Sequence, residues 1–190
     1  MKKLFSLLFI VFVAIGFIAC KGNNEKSASI VYKVGDYYND GVKEGIVFQV
    51  SEDGKHGKIV SVEESDEQWA IDPVYKSGTA VTSREDGLFN MNKIKGQPDW
   101  ENDYPAFAWC ACLGADWYLP AEVELYLIFE NRNIINCELD KRGYDKIEGY
   151  CYWSSTEYST FFAWLVGMND GGSFNLNKYL NYYVRAVATF

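Results

Sequence analysis

The sequence is poor in histidine and in positive charge. It has one histidine, His56, in 190 residues, and 26 acidic residues outnumber 18 basic ones, for a formal net charge of -8. A Ser-His-Asp or Cys-His catalytic system would have to use His56, which lies in a predicted turn where no enclosed site is expected. The acidic balance argues against a nucleic-acid backbone as a partner. The sequence therefore predicts neither a histidine-dependent enzyme nor a nucleic-acid-binding protein.

Spacings that would bring metal ligands or catalytic groups together are missing as well. Cys110 and Cys112 stand two positions apart in a predicted helix, which rotates one thiol by roughly 200° from the other. Glu122 and Glu124 diverge for the same reason and do not predict a glycosidase pair. Residues 169–172 lack the alternating acids and the late Glu of a calcium loop. We expect no catalytic residue, no metal site and no cofactor.

The composition is that of an ordinary globular protein. A length of 190 residues suits one domain, and hydrophobic residues make up 48% and charged residues 23% of the chain. Aromatic residues reach 17%, with 14 Tyr, 12 Phe and 6 Trp. At this density they form either a crowded core or an amphipathic binding surface, and composition leaves both interpretations open.

The N-terminus has the layout of a secretory signal. A basic start precedes an apolar run at residues 4–19, which is shorter than the ~20 residues of a membrane-spanning helix. The small Ala19 before Cys20 resembles the lipobox of bacterial lipoproteins, in which the cysteine is acylated. We expect a signal peptide at residues 1–19 and, at residues 20–29, lipidated Cys20 and a tether to the cell envelope, in the outer membrane and open to surface exposure. A simple signal peptide with an incidental cysteine is the alternative.

Asp-Gly pairs, which favour hairpin turns, punctuate the chain four times. They lie at residues 40–41, 53–54, 86–87 and 170–171. The second pair separates two β-branched runs, at residues 45–50 and 58–62, which predict a hairpin. An earlier strand is expected at residues 30–34.

The remaining pattern contains helical and extended segments. Helices are predicted at residues 102–113 and 120–131, where apolar residues recur at helical spacing. Residues 133–149 are polar and aperiodic, which predicts a long loop. Apolar runs predict buried strands at residues 160–168 and 182–190. The order of strands, two helices and then strands indicates an α+β fold with antiparallel strands and long loops.

Four short motifs arrive in an order that resembles one known family. They are Trp117-Tyr118-Leu119-Pro120, Tyr152-Trp153-Ser154-Ser155, Ala163-Trp164 and Tyr183-Val184-Arg185. Together they resemble the collagen-like-adhesin C-terminal (Lcl_C) domain family, including the versions found on bacterial lipoproteins. The resemblance implies a single C-type-lectin-like domain over residues 30–190, with its final strand, 183–189, beside the strand at 30–34. It implies a fold and not a ligand.

Four cysteines follow Cys20 in a compartment that permits disulfides, and they allow three pairings. A Cys137–Cys151 bond that clamps the long loop is the preferred disulfide, and buried free thiols are the alternative. Formylglycine-generating oxidases have a related fold and hold copper with a pair of cysteines. That analogy makes a copper-dependent oxidase the enzymatic alternative to a binding protein.

Residues 154–157, Ser-Ser-Thr-Glu, offer hydroxyls and a carboxylate that could bind a sugar or a metal. Ser154 and Glu157 also have the spacing of a helix capping box. The structural role is preferred, so the start of a helix is expected here.

Tyrosines in or beside predicted loops are the remaining candidates for ligand binding. They are Tyr144, Tyr150, Tyr158, Tyr179 and Tyr182. A tyrosine in a loop can stack on a sugar ring while its hydroxyl stays in water, and packing within the loop is the structural alternative. Trp153 and Trp164, inside the family motifs, are expected in the core.

These expectations favour a membrane-anchored, non-enzymatic binding or adhesion module. Its partners would be the membrane, through the lipid, and a glycan or a surface protein, but no nucleic acid. The copper-dependent oxidase and a structural component of the envelope are the alternatives.

Overall fold

The computed structural model describes residues 30–72 and 78–190. The expected signal peptide, Cys20 and the tether lie outside the described residues. The described residues form nine strands and five helices. The strands are β1 (Tyr37–Asn39), β2 (Glu44–Val50), β3 (Gly57–Ser61), β4 (Ser65–Gln68), β5 (Cys151–Glu157), β6 (Phe162–Gly167), β7 (Ser173–Asn177), β8 (Asn181–Val184) and β9 (Val187–Thr189). The helices are α1 (Gly87–Lys95), α2 (Trp100–Asp103), α3 (Pro105–Cys112), α4 (Glu122–Glu130) and α5 (Arg132–Arg142).

Four strands form the first sheet, in the order β1-β2-β3-β9, and all neighbours are antiparallel. The hairpin predicted at residues 45–50 and 58–62 is confirmed as β2 and β3. Its turn contains Gly54, which has a φ of 68° and whose added Cβ would lie 2.4 Å from the Val31 side chain. Only glycine suits both the conformation and the close approach.

Five strands form the second sheet, in the order β4-β8-β5-β6-β7. Its neighbours are antiparallel except β5 and β8, which run parallel with Tyr152 beside Tyr183. The expectation of antiparallel strands therefore fails at this one pair. Two sheets combined with helices make the fold α+β, as predicted.

The final strand predicted at residues 182–190 is two strands in different sheets, β8 and β9, with Arg185 at the crossover. Arg185 is 1% exposed. Its guanidinium donates to Glu64 and to the carbonyls of Ser61 and Val62 at 2.9 to 3.0 Å. A buried guanidinium needs such acceptors. Here they lie at the point where the chain passes from the second sheet, at β8, to the first sheet, at β9.

Residues 30–34, the first described segment, meet the C-terminal residue, but the two segments do not pair as strands. Residues 30–34 form no strand, so the expectation of one there is wrong, and β1 and β9 lie at opposite edges of the first sheet. The Tyr32 and Phe190 rings pack with centroids 5.1 Å apart. The Tyr32 N–H donates to the Gly54 carbonyl at 2.8 Å. A turn carbonyl, and not a strand, takes the backbone donor of this segment.

The long loop predicted at residues 133–149 is wrong over most of its length, because α5 occupies it. The buried residues of α5 are Ile135 and Leu139, spaced i and i+4, and Gly143 ends the helix in the left-handed conformation with a φ of 78°. With only two buried residues among polar neighbours, the sequence shows no clear helical periodicity of apolar residues here.

The helix predicted at residues 120–131 is confirmed as α4, whereas the one at 102–113 is divided into α2 and α3. The division falls at Tyr104, because Pro105 cannot continue a helix and instead occupies the first turn of the next one. The structure thus has five helices in its described residues where two were expected.

The Asp86-Gly87 pair begins α1 and makes no hairpin turn. The Asp86 carboxylate accepts from the Phe89 N–H at 2.8 Å, which is the bond of a helix N-cap. A Cβ on Gly87 would lie 2.5 Å from the Leu119 carbonyl oxygen, so glycine allows the helix to approach that segment. An Asp-Gly pair is ambiguous because a hairpin turn and a helix N-cap both use the hydrogen-bonding side chain of Asp and the conformational freedom of Gly.

Ser154 and Glu157 cap no helix, and the capping-box interpretation is wrong. Both are buried in β5. The Ser154 hydroxyl donates to the Trp164 carbonyl on the neighbouring strand at 2.8 Å. The aromatic residues that precede Ser154 favour a strand, and pairing on both sides of β5 overrides the local spacing.

All four cysteines in the described residues are free, so the expected Cys137–Cys151 disulfide is absent. Cys137 is exposed on α5, and Cys151 begins β5. The segment that the disulfide was expected to clamp is instead a helix, and it packs against β2. The packing of α5 against β2, and not a disulfide, holds this segment in place.

A buried ion pair joins the ends of β5 and β7. Glu157 is 7% exposed and Lys178 is 0% exposed, and the ammonium of Lys178 contacts the carboxylate of Glu157. The ammonium also donates to the Thr160 carbonyl at 2.9 Å and lies 4.6 Å from the Trp69 ring. Burial lowers the pKa of Lys178, and the bond to Glu157 opposes that shift.

The Glu157 carboxylate also binds the chain segment that precedes α1. It accepts from the N–H groups of Thr79 at 2.9 Å and Ala80 at 2.8 Å. Ala80 has a φ of 57°, a left-handed conformation that alanine rarely adopts. Successive N–H groups in such a turn form a concave anion site. One carboxylate therefore joins three segments that are distant in sequence.

Replacing Lys178 by methionine is expected to lower the free energy of unfolding by about 3 kcal/mol, because Glu157 would stay buried without its cation. Denaturant unfolding followed by tryptophan fluorescence gives the value. Lys141→Met is the matched control, since Lys141 pairs with Glu138 at the surface at 3.1 Å. Its loss should cost less than about 0.5 kcal/mol. Equal losses in the two variants would contradict the role given to the buried pair.

Candidate functional site

Tyr144 belongs to a hydrogen-bonded group beside the first sheet. Its hydroxyl donates to Glu44 Oε1 at 2.6 Å, and the Tyr37 hydroxyl donates to the same atom at 2.7 Å. The bond to Glu44 is the main cause that raises the pKa of Tyr144 to about 12. The hydroxyl is thus engaged within the protein, which favours the packing alternative for this candidate.

Tyr150 and Tyr182 lie on opposite faces of the second sheet. Tyr150 is 52% exposed and stacks on Tyr183 with centroids 4.6 Å apart. Tyr182 is the strand neighbour of Tyr183, so it points the other way, and its ring packs on buried Trp153 at 5.4 Å. Tyr179 follows β7 and is 42% exposed. The candidates therefore do not form a single site.

Tyr158 is the candidate that the structure places in a larger aromatic surface. It follows β5, is 55% exposed, and meets the Trp164 ring at 5.1 Å. Phe162, which is 36% exposed, and Trp164 lie on one face of β6 because they are two residues apart. Their cross-strand partners on β7 are Asn177 and Asn175. We call Tyr158, Phe162, Trp164, Asn175 and Asn177 the aromatic face.

Arg84 borders the aromatic face. Its guanidinium lies 5.5 Å from the centroid of the Trp164 ring. It also binds the buried Glu122 carboxylate through two hydrogen bonds of 2.6 and 2.7 Å. This bidentate bond balances the charge of Arg84 and fixes the plane of the guanidinium over the ring. The half-buried state of Trp164 follows in part from this cover.

Backbone hydrogen bonds hold the aromatic face in place. The Tyr158 N–H donates to the Phe162 carbonyl at 2.9 Å, which closes the β5–β6 turn. Glu157 directly precedes Tyr158, and Lys178 directly follows Asn177. The buried ion pair therefore fixes the two chain segments that carry Tyr158 and Asn177.

Sequence reasoning identified Tyr158 but missed Phe162, Asn175 and Arg84. The run at residues 160–168 is apolar on both alternations, which hides the positions that face solvent. Trp164, expected in the core, is half-buried. The alternation of polar and apolar residues in β7, Ser-Phe-Asn-Leu-Asn, could have identified the asparagines, because it is typical of a strand with one solvent-exposed face.

The aromatic face combines ring surfaces with side-chain amides and contains no carboxylate and no histidine. An amide can donate and accept hydrogen bonds at once, and a ring can stack on an apolar surface of a ligand. Four of the five residues lie on the paired strands β6 and β7, and Tyr158 lies in the hydrogen-bonded turn before β6, so little ordering is required when a ligand binds. The chemistry of this surface is that of recognition.

The other candidate groups stay apart. His56 is exposed in the β2–β3 turn, as predicted. Cys110 is buried and Cys112 is exposed on α3, so the two thiols face different sides of the helix. Burial raises the pKa of the Cys110 thiol, which disfavours the thiolate that a metal requires. Within residues 30–72 and 78–190, no three His, Cys, Asp or Glu side chains come together as a metal site.

Comparison with known proteins gives a likeness of fold. The crystal structure of a fimbrial protein from Bacteroides ovatus resembles this chain with a TM-score of 0.65 and 17% sequence identity. The likeness covers 84% of this chain and 49% of that one, so this chain spans about half of its length. No protein-family model and no curated protein matches the sequence. In the described part of the chain, no helix has the length and apolar character needed to span a membrane.

The Tyr144 hydroxyl is expected to stay protonated near pH 11, where an ordinary tyrosine is mostly ionised. Because the folded pKa lies above the unfolded one, this group contributes stability below about pH 10 and loses it as the pH rises towards 12. NMR of ring-labelled tyrosines, assigned with Tyr144→Phe, measures the titration. Glu44→Ala should move it to lower pH. An unchanged titration in that variant would contradict the assigned cause.

Proposed function

We propose that this protein is a non-enzymatic binding module of the cell envelope and that the aromatic face takes a glycan. The observation that carries the proposal is the set of Tyr158, Phe162 and Trp164 rings on one side of a rigid sheet, with Asn175 and Asn177 beside them. Sugar rings offer apolar C–H surfaces to such rings and hydroxyls to such amides. The proposed glycan is a neutral one, because Arg84, the charged group that contacts the Trp164 ring, is already paired with Glu122.

The fold supports an envelope role. The protein from Bacteroides ovatus that shares the architecture is described as fimbrial. The likeness is one of fold, and the surface role is carried to this chain as part of the proposal.

The proposal includes the C-type-lectin-like assignment and the relation to the Lcl_C family. Its support is the α+β architecture with two sheets, together with the packing of Tyr32 against Phe190. The family motifs also fall at structural positions, with Trp153 in the core and Arg185 at the crossover between sheets.

Lipid anchoring at Cys20, in the outer membrane, completes the proposal. Its support is the apolar run at residues 4–19 and the small Ala19 before the cysteine. Stacking on one ring contributes on the order of 1 kcal/mol, so a single site binds weakly, in the millimolar range. Many anchored copies acting together would convert weak sites into firm attachment.

Phe162→Ala and Tyr158→Ala are each expected to weaken retention on a neutral glycan surface by about fivefold, which corresponds to the loss of one stacked ring. The measurement uses the full chain, purified in detergent, on an array of immobilised glycans. The melting temperatures should change little because both rings lie at the surface, with Tyr158 55% and Phe162 36% exposed.

Phe89→Ala is the matched control, since Phe89 is an exposed aromatic residue on α1, 48% exposed, outside the aromatic face. It should leave retention unchanged. Unchanged retention in both face variants, or an equal loss in the control, would contradict the proposal. If the face variants lost binding to a surface protein and to no glycan, the partner class would be wrong.

A further inference from the structure

The described strands leave four sheet edges, and three of them are protected. The edge of β9 is bridged by Tyr118, which pairs with Val187. The edge strand β4 carries Asp66 and Glu67, and β1 is only 3 residues long. Cover, charge and shortness are the usual protections against pairing with another chain. Within the described residues, the edge of β7 has none of these protections.

The ladder between β6 and β7 determines which backbone groups of β7 face outward. At its two ends, the Lys178 N–H donates to the Phe161 carbonyl at 3.1 Å and the Gly167 N–H donates to the Gly172 carbonyl at 2.9 Å. In an antiparallel pair, bonded and unbonded residues alternate. The even-numbered residues of β7 therefore turn their N–H and C=O groups to β6, and the odd-numbered residues turn theirs away.

The outward residues are Ser173, Asn175 and Asn177. The Asn177 carbonyl accepts from the Leu180 N–H at 3.0 Å. The other outward backbone groups of these three residues have no hydrogen-bond partner in the described part of the chain. A row of unpaired groups along a strand is a template for one more strand.

We propose that β7 pairs antiparallel with β7 of a second copy of this chain, about a two-fold axis at Asn175. In this register Asn175 lies opposite Asn175 of the second copy, and Ser173 lies opposite Asn177. Every outward N–H then meets an outward carbonyl, for about six hydrogen bonds. The Asn177 carbonyl can take part because an oxygen accepts two bonds.

The side chains of β7 complement each other in the same register. Phe174, which is 46% exposed, lies opposite the half-buried Leu176 of the second copy, and symmetry repeats the contact. Cross-strand pairs of an aromatic and an aliphatic residue stabilise a sheet. On the other face the two Asn175 amides meet and can exchange hydrogen bonds.

Charge favours a second copy at β7 over the other long edge. The chain carries a net charge of -8, yet β7 contains no charged residue. Pairing through β4 would set Asp66 and Glu67 against the same acids of the other copy. A self-complementary, uncharged strand suits an isologous two-fold contact, in which one surface patch meets itself.

The paired strands would make one continuous sheet of about ten strands. A two-fold axis perpendicular to a sheet keeps equivalent side chains on the same side, so the two aromatic faces would point the same way. The dimer does not depend on what those faces bind. It would nevertheless double the number of sites that one assembly presents.

The test is the oligomeric state of the full chain, measured by sedimentation in a density-matched detergent over a range of protein concentrations. We expect a monomer–dimer equilibrium. Asn175→Lys should weaken it at least tenfold, about 1.4 kcal/mol, because two ammonium groups would meet at the axis. Phe174→Asp should weaken it as well. Asp66→Lys, on the edge of β4, is the matched control and should leave it unchanged.

Circular dichroism and thermal melts establish that the variants are folded. A chain that stays monomeric up to about 100 μM, or a dimer that both β7 variants leave intact, would overturn the proposal. Binding of an extended peptide from another protein at β7, without a dimer, would also overturn it. Phe162→Ala keeps the edge of β7 unchanged and should keep the dimer, so failure of glycan binding and failure of pairing are separate results.

Discussion

The second sheet depends on a buried ion pair. Glu157 and Lys178 lie at the ends of β5 and β7, where both are buried, and a buried charge needs its partner and several hydrogen bonds. The Glu157 carboxylate obtains them from the N–H groups of Thr79 and Ala80, and the ammonium of Lys178 from the Thr160 carbonyl. These bonds are specific in direction, so they allow one arrangement of the β5–β6 turn, the end of β7 and the segment before α1.

The aromatic face follows from that arrangement. Tyr158 and Asn177 are the chain neighbours of the paired residues, and the strand pairing of β6 with β7 sets Phe162 and Trp164 beside the two asparagines. Such a surface is preorganised but shallow, so one copy would bind a sugar weakly. The proposed lipid anchor and the proposed pairing of β7 have the same physical consequence, since each brings many weak sites to one surface.

Sequence reasoning succeeded where the signal is local. The β2–β3 hairpin has β-branched runs on both sides of a glycine turn, and α4 has its proline and acidic residues at the correct end. It failed where distant partners decide. Arg185 splits the final strand because its acceptors lie more than 100 residues earlier, at Ser61 and Val62. Helix α5 has two buried side chains, which gain their meaning only against β2. Tyr158 was recognisable as a candidate, whereas the cover of Trp164 by Arg84 joins residues that no local pattern relates.

Amide hydrogen exchange in the wild-type chain and in Glu157→Gln tests most directly whether the buried ion pair holds the aromatic face. The account predicts that exchange of the Tyr158 and Lys178 amides accelerates on the order of tenfold or more in the variant. The reason is that these amides donate to the carbonyls of Phe162 and Phe161, at the end of the β5–β6 turn. The amides of the β2–β3 hairpin should accelerate much less. Unchanged exchange at Tyr158 and Lys178, or the same acceleration throughout the chain, would contradict the account.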